Sequence, residues 1–163
     1  MVVVIHNESE MELMSQQIVY QSTHDALTGL LNRSRFEEML GDSIKNTQTE
    51  EALDILCFID IDKFKAINTT FGSVAGDELI RHVSAVLKRG MRSTDTIARL
   101  GADQFAALFC GCPLERAQKI AEELCALVHE SRFYWDEKEY TISVSIGLAV
   151  IDTSITETAL AIS

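Results

Sequence analysis

The chain of 163 residues carries 25 acidic and 14 basic side chains, for a formal net charge of −11 at pH 7. This balance excludes a general nucleic-acid binder, because no basic stripe is available to neutralise phosphates. A hydrophobic content of 47% excludes a disordered chain, and the length suits one domain with its own core.

The first elements in chain order form a possible connector. Residues 2–5 (VVVI) read as a short strand, and residues 11–20 have helical spacing, with one face that comprises Met11, Met14, Ile18 and Gln21. A lone terminal strand cannot stabilise itself. We therefore expect residues 1–21 to be the end of an upstream domain followed by a helical connector. The alternative is a terminal tail that packs on the surface.

The next segments predict a helix and a buried strand. Ser34 and Glu37 have the spacing of a capping box, followed by a buried stripe of Phe36, Met39, Leu40 and Ile44. Residues 46–50 are a polar loop. The apolar run over residues 55–59 predicts a buried strand that spans residues 53–60.

The remaining elements alternate between helix and strand. Residues 63–65 are predicted to form a tight turn, and residues 74–89 a helix whose inward side chains are Leu79, Ile80, Val83, Val86 and Leu87. Residues 96–99 and 105–109 read as a hairpin around Gly101. Pro113 suits the first turn of a helix that runs to about residue 129. Residues 140–150 alternate as a strand, to which residues 133–135 are expected to pair. A single compact α/β unit follows.

Acidic residues stand at the edge of this predicted core. Asp60 and Asp62 end the buried strand and lie on one face because side chains alternate along a strand, and Asp103 follows Gly101 in the hairpin turn. Carboxylate oxygens at such an edge are suited to a hard divalent cation beside phosphates. The alternative is a solvated strand end.

The cysteines and the hydropathy bear on location. Cys57 and Cys110 lie in apolar runs, where a buried reduced thiol is the simplest interpretation, and Cys110 with Cys112 has no second pair for a zinc site. A reducing cytoplasm suits this usage. No apolar run approaches membrane-spanning length, although the parent protein could be attached to a membrane by another segment.

Several ordered motifs carry a family resemblance over residues 22–151. The stretches are HDALTGLLNR at 24–33, DIDKFKAIN at 60–68, FGSVAGD at 71–77, GADQF at 101–105 and SVSIG at 143–147. Together they resemble a GGDEF domain of the diguanylate cyclase family. The resemblance implies an α/β (α+β) fold like the nucleotide-cyclase and polymerase palm, with a mostly antiparallel central sheet flanked by helices. It assigns residues 22–163 to a C-terminally truncated GGDEF domain, and the entry over residues 1–21 is similar to a joint with a PAS domain.

The resemblance also implies roles for individual residues. Mg²⁺ (or Mn²⁺) would be held by the carboxylates of Asp60 and Asp103 and the carbonyl of Ile61. Asp60, Asp103 and Gln104 would be the catalytic positions. Asn68 and Asp77 would read guanine, and Phe64 and Lys65 would lie beside the phosphates. Arg92 and Asp95 resemble the RxxD site at which cyclic di-GMP inhibits the family.

The match departs from the family at named positions. Ala102 stands where a glycine is expected, which adds a methyl group where the turn needs positive φ or close approach. Gln104 replaces a glutamate and removes a charge from a cation site, and Thr69 replaces an acid that often follows Asn68. The family continues with a helix that carries a lysine and an arginine for the triphosphate, and residues 158–162 are expected to begin that helix at most.

Two functional hypotheses follow, with a purely structural dimerisation domain as a third. The first is a diguanylate cyclase domain that condenses two GTP into cyclic di-GMP as a homodimer, controlled by an upstream sensory domain. The second is a degenerate GGDEF module that binds GTP or cyclic di-GMP and regulates a neighbour, such as a downstream EAL phosphodiesterase domain. Ala102 and Gln104 favour the second hypothesis, and the nucleotide-facing residues are compatible with both.

Overall fold

The computed structural model describes residues 3–46 and 54–151, with side chains from residue 10 onward apart from residue 46. Five helices and six strands are found in this part of the chain. The helices are α1 (Val3–Thr23), α2 (Arg33–Asn46), α3 (Phe64–Phe71), α4 (Ser73–Arg89) and α5 (Leu114–Ser131). The strands are β1 (Ile55–Ile61), β2 (Thr96–Gly101), β3 (Gln104–Phe109), β4 (Phe133–Trp135), β5 (Lys138–Tyr140) and β6 (Val144–Val150).

The main sheet has four strands in the order β2-β3-β1-β6, and every neighbouring pair is antiparallel. The apolar strand β1 lies in its interior, where a run that is hydrophobic on both faces can be covered from both sides. β4 and β5 form a separate two-stranded ribbon. The predicted antiparallel sheet flanked by helices is confirmed.

The alternation along β1 divides the core into two layers. Ile55, Cys57, Ile59 and Ile61 belong to a cluster with side chains of α4 and α5, whereas Leu56 and Phe58 belong to a second cluster with α2. The five inward residues predicted for the helix over 74–89 are all buried. Side chains on the two faces of β1 therefore pack against different helices, α4 and α5 on one face and α2 on the other.

Two predictions about the first helices are wrong. The strand predicted over residues 2–5 is not found at residues 3–5, because α1 begins at Val3 and continues to Thr23, and Val2 lies outside the described residues. A helix satisfies its own backbone groups, whereas a strand needs a neighbour. Helix α2 begins at Arg33, so Ser34 lies inside it. Asn32 caps it instead, since its Oδ1 accepts from the Arg35 N–H at 3.0 Å, while Glu37 pairs with Arg33 at 2.9 Å.

Two further predictions misplace strand and turn boundaries. Phe64 and Lys65 do not lie in a tight turn but begin α3, a helix the sequence analysis missed. The segment 140–150 is not one strand: Tyr140 ends β5, and Phe133–Trp135 pairs with β5 and not with β6. The two-residue turn between β4 and β5 has φ values of 50° and 65° at Asp136 and Glu137, and it has none of the Gly or Asn residues that usually announce it.

The other boundaries differ by small amounts. Pro113 precedes the first residue of α5 and does not lie within its first turn. Leu53 and residues 47–50 of the predicted loop lie outside the described residues, as do residues 152–163, where a final helix was expected to begin.

Two further observations concern the state of the cysteines and the apolar character of the helices. All four cysteines are free thiols, and burial, with Cys125 nearby, raises the pKa of Cys57 to about 12. Of the helices in the described part of the chain, none combines the length and the apolar character required to cross a bilayer.

Candidate functional site

The acidic ends of β1 and the hairpin turn come together at one edge of the sheet. Asp60 lies opposite Gln104 of β3 on one side and Ser145 of β6 on the other, so these three side chains share a face. Ile61 points the other way into the core, and its N–H donates to the carbonyl of Asp103 at 3.2 Å. This bond places the Asp103 backbone directly beside the end of β1.

Three carboxylates make this edge strongly negative. Burial raises the pKa of Asp60, and the nearby charges of Asp103 and Asp62 raise it further. Asp62 is already engaged, because it accepts hydrogen bonds from the hydroxyls of Ser143 at 2.7 Å and Ser145 at 2.5 Å. Among the residues that the structure describes, neither the Asp60 nor the Asp103 carboxylate has a comparable side-chain hydrogen bond.

The donor set fits a hard divalent cation with a partial protein shell. Asp60 and Asp103 offer carboxylates and Ile61 a backbone carbonyl, all of them oxygen donors that Mg²⁺ and Mn²⁺ accept. Across residues 3–46 and 54–151, no group of three or more His, Cys, Asp or Glu side chains is arranged to hold a metal ion. The remaining positions would therefore fall to water and a bound phosphate.

The turn that carries Asp103 is held by Arg99, for which the sequence predicted no role beyond its place at the end of a strand. Arg99 donates to the carbonyl of Ala102 from Nε at 3.2 Å and from Nη2 at 2.9 Å. Its Nη1 reaches both carboxylate oxygens of Asp25, at 3.2 and 3.3 Å. The opening motif is thus tied to the hairpin turn across 74 positions of sequence.

Asp25 is itself well ordered by its neighbours. It accepts from the Thr28 backbone N–H at 3.0 Å and from the Thr28 hydroxyl at 2.8 Å. Burial raises its pKa, but the two bonds from Thr28 and the charge of Arg99 outweigh burial, so the pKa of Asp25 lies below its ordinary value of 3.8. The carboxylate is charged and fully partnered at neutral pH.

Ala102 adopts the conformation that was expected to suit glycine. Its φ is 27°, in the left-handed region where an L side chain is strained. The bonds from Arg99 to its carbonyl hold the turn in this shape. The departure from glycine at this position therefore has a local conformational cost.

Gln104 lines a cavity that no sequence signal identified. The cavity has a volume of about 390 Å³ on the α2 side of the sheet and is lined by Asp60, Gln104, Ser145, Gly147, Phe58 and Leu100, among others. The amide of Gln104 is exposed and lies across from Asp60. A glutamate at this position would add a negative charge beside Asp60.

The proposed guanine-reading residues lie on the α3–α4 pair, away from the hairpin turn. Asn68 of α3 and Asp77 of α4 are both exposed. Gly76 is buried, and a Cβ built there would lie 2.6 Å from Asn68 Oδ1 and 3.2 Å from Phe64 Cζ. Because Gly76 has no side chain, Asn68 and Phe64 can pack directly against its backbone, next to Asp77 in the sequence. Lys65 is exposed in the first turn of α3.

Arg92 and Asp95 lie at the other end of the β2–β3 hairpin. Thr96 opens β2 opposite Leu108, while Gly101 closes it opposite Gln104. The length of β2 separates the two ends by about 17 Å. Hydrogen bonding to Asp95 raises the pKa of Arg92. The structure thus gathers Asp60, Ile61, Asp103 and Gln104 in one place, Phe64, Lys65, Asn68 and Asp77 on the adjoining helices, and this pair in a separate place.

Comparisons with known proteins agree on one family. The family model described as "Diguanylate cyclase, GGDEF domain" matches residues 22–162. "Probable diguanylate cyclase DgcE" of Escherichia coli (strain K12) is 36% identical over 151 residues, which cover 93% of this chain and 14% of that protein. The chain therefore spans a small part of this relative's length.

Solved structures show the same fold. The coiled coil and GGDEF domain of DgcB from Caulobacter crescentus matches with a TM-score of 0.88 at 24% identity, covering 98% of this chain and 85% of that one. The GGDEF domain of the same protein in complex with c-di-GMP matches with a TM-score of 0.79 at 27% identity, covering 85% of this chain and 83% of that one.

Proposed function

The chain belongs to the GGDEF family of diguanylate cyclase domains, and on that premise we propose that it binds GTP and condenses two GTP molecules into cyclic di-GMP. GGDEF domains bind GTP and cyclic di-GMP. The observation that carries the proposal is the meeting of Asp60, the Ile61 backbone and Asp103 at one edge of the sheet. Oxygen donors so placed suit a metal-bound triphosphate.

Diguanylate cyclases of this family generally depend on a divalent metal, and Mg²⁺ or Mn²⁺ would be held here by Asp60, Asp103 and the Ile61 carbonyl. When bound, the metal supplies charge stabilisation to the phosphates. Without it, nothing offsets the burial and the neighbouring charges of Asp103 and Asp62 that together raise the pKa of Asp60. The repulsion is the physical reason for expecting a cation at this place.

The nucleotide would extend from this edge towards α3 and α4. Asp77 can accept from guanine N1–H and N2–H₂, and Asn68 offers both a donor and an acceptor. Lys65 and the backbone at Phe64, in the first turn of α3, would face the phosphates, where the helix dipole and the lysine charge favour an anion. The close approach at Gly76 supports this arrangement, because it orders Asn68 against α4.

Two copies of the domain would be needed for condensation, since each would present one GTP. Helix α1 supplies a surface on which they could associate. Met11, Met14 and Ile18 are 68%, 62% and 65% exposed and follow the spacing of a coiled-coil seam. We propose a two-fold homodimer through α1, which aligns the two nucleotide sites.

A non-catalytic nucleotide-binding module is the second candidate. Gln104 faces Asp60 without a charge, and Ala102 holds a strained φ of 27° in the turn that carries Asp103. Both features weaken catalysis more than binding, because they alter the edge where reacting phosphates would lie and leave Asn68 and Asp77 untouched.

The surroundings of the domain follow from the same proposal. The residues before α1 would join an upstream sensory domain, and an EAL phosphodiesterase domain could follow downstream as the partner of a regulatory module. A cytoplasmic location is supported by the free thiols and by the proposed GTP substrate.

The test is turnover of GTP with Mg²⁺, followed by chromatography for cyclic di-GMP, on the chain and on its Gln104→Glu, Ala102→Gly double variant. A cyclase yields product in the unaltered chain and more in the double variant. Product only in the double variant supports the non-catalytic module. If calorimetry detects binding of neither GTP nor cyclic di-GMP to either protein, both candidates are refuted.

A further inference from the structure

Asp62 is held by two serine hydroxyls at the beginning of β6. Ser143 Oγ donates to Asp62 Oδ2 at 2.7 Å, and Ser145 Oγ donates to Oδ1 at 2.5 Å. The Asp62 N–H also donates to the Ser143 carbonyl at 3.0 Å. Because side chains alternate along a strand, the two serines lie on one face and together bind one carboxylate. Both oxygens of Asp62 are therefore fixed against β6 by short hydrogen bonds to a charged group, which are stronger than bonds between neutral groups.

The position of Asp62 in the chain is suited to a cation ligand. It follows Asp60 by two residues, so that the two Cα atoms are about 7 Å apart, a separation at which two carboxylates can share one cation. Ser145, whose hydroxyl bonds to Asp62, lies opposite Asp60 in the register of β1 with β6. Released from the serines, Asp62 would be a third carboxylate within reach of the edge where Asp60 and Asp103 come together.

Asp60, Asp62 and Asp103 nevertheless do not form a three-carboxylate metal group. In the part of the chain that the structure describes, no three His, Cys, Asp or Glu side chains are arranged to hold a metal ion. To contact a cation, Asp62 would have to leave at least one serine hydroxyl, which would then lose its acceptor. The loss of that bond opposes coordination by Asp62. The two serines are therefore positioning residues, because they act through the carboxylate that they hold.

We infer that Ser143 and Ser145 hold Asp62 away from the metal, so that the site binds a cation weakly without nucleotide and favours Mg²⁺ or Mn²⁺ over Ca²⁺. The inference rests on the proposed function, which places a divalent metal at this edge. Mg²⁺ is bound through one or two carboxylates with phosphates and water, whereas Ca²⁺ takes roughly six to eight oxygen ligands. A third carboxylate would supply oxygens that Ca²⁺ needs and would let a cation bind before the nucleotide.

The experiment is titration of the chain with Mn²⁺ in the absence of nucleotide, followed by electron paramagnetic resonance, in which the bound ion loses the sharp signal of free Mn²⁺. The Ser143→Ala, Ser145→Ala double variant should bind Mn²⁺ about tenfold more tightly than the unaltered chain, because the number of charged ligands sets the affinity. Its affinity for Ca²⁺, measured by competition with Mn²⁺, should rise by a larger factor. In an Asp62→Asn background, the two serine substitutions should change neither affinity.

Two sets of variants control for the loss of a serine side chain in itself. Ser43→Ala removes another serine–aspartate hydrogen bond, from Ser43 Oγ to Asp54, which precedes β1 at its opposite end. It should leave the Mn²⁺ affinity unchanged. Ser143→Thr with Ser145→Thr keeps both hydroxyls and should keep the affinity of the unaltered chain. Should the alanine double variant fail to fold, Ser145→Ala alone frees one oxygen of Asp62 and should give a smaller increase in Mn²⁺ affinity.

Two results overturn the inference: a Mn²⁺ affinity that is unchanged or lower in the alanine double variant, or an increase that persists in the Asp62→Asn background. Calorimetric titration of Asp60→Asn with GTP and Mn²⁺ separates these results from failure of the proposed function. Loss of binding in that variant leaves the proposed metal site intact, and only this inference is then refuted. Unchanged binding in that variant, or no binding by the unaltered chain, refutes the proposed metal site as well.

Discussion

The contact between Gly76 and Asn68 allows binding and stability to be perturbed separately. A Cβ at Gly76 would lie 2.6 Å from Asn68 Oδ1 and 3.2 Å from Phe64 Cζ. The amide of Asn68 would have to retreat by roughly 0.8 Å to restore ordinary contact at 3.4 Å. Because this amide is the free end of a side chain, Gly76→Ala should displace it without unfolding α3 or α4.

Gly76→Ala is expected to change the stability of the domain little and its affinity for GTP more strongly. Alanine in place of a helical glycine stabilises by about 1 kcal/mol, and moving Asn68 off its preferred rotamer costs about 1 kcal/mol. The unfolding temperature should therefore move by less than about 3 °C. Loss of the Asn68 hydrogen bonds to guanine costs roughly 1–2 kcal/mol, which weakens GTP binding about tenfold.

The assay pairs thermal unfolding with calorimetric titration of GTP and Mg²⁺. Gly41→Ala is the matched control, since Gly41 lies in α2 and an added Cβ meets nothing within 4 Å. It should raise the unfolding temperature by about 2–4 °C without changing GTP affinity. In an Asn68→Ala background, Gly76→Ala should cause no further loss of affinity. Unchanged GTP affinity in the Gly76→Ala single variant would refute the reasoning.

Three other predictions concern the ion-paired Asp25, the acidic residue Asp60 and the exposed face of α1. The pKa of Asp25 is lowered on folding, so Asp25→Asn should cost roughly 1–2 kcal/mol at pH 7. That deficit should vanish as pH falls through the folded pKa, and a constant deficit in pH-dependent melting would contradict it. The pKa of Asp60 is raised on folding, so the metal-free wild type loses stability as pH rises through it. Asp60→Asn should therefore melt higher than the wild type at pH 7 in EDTA, yet gain no stability from Mg²⁺ with GTP, and a lower melting temperature in EDTA would count against the repulsion. Ile18→Asp should leave unfolding of the domain unchanged but shift sedimentation from dimer to monomer, and a persistent dimer would exclude α1 as the interface.

Much of the fold could be predicted because it follows from local pattern. The apolar run that became β1, the hairpin around Gly101 and the inward stripe of α4 each carry their period in the sequence. The errors fell where the pattern was ambiguous. Residues 3–5 are β-branched but helical, and the turn at Asp136 and Glu137 has no glycine or asparagine to mark it. The helix α3 was missed because it is only eight residues long.

The candidate site was predictable to the same degree. The acids at 60 and 103 could be identified from their positions at strand ends. Of the two reasons given for a glycine at position 102, a positive φ and close approach, the structure shows the positive φ. The hydrogen bonds from Arg99 to the Ala102 carbonyl could not be predicted, because they depend on the pairing of β2 with β3 and on the position of Asp25. The role of Gly76 likewise depends on how α3 crosses α4.

The sequence by itself determined the family, the antiparallel architecture and the types of side chain placed at each strand end, since these depend on composition, period and motif order. Only the tertiary structure decided which of those side chains remain available. Asp62 accepts hydrogen bonds from Ser143 and Ser145, and Asp95 pairs with Arg92. Asp60, in contrast, lies near the charge of Asp103, and neither of these two carboxylates forms an ion pair within the described residues. The physical reason is that a carboxylate's chemistry depends on its neighbours in space, and those neighbours are set by strand register and helix packing rather than by distance along the chain.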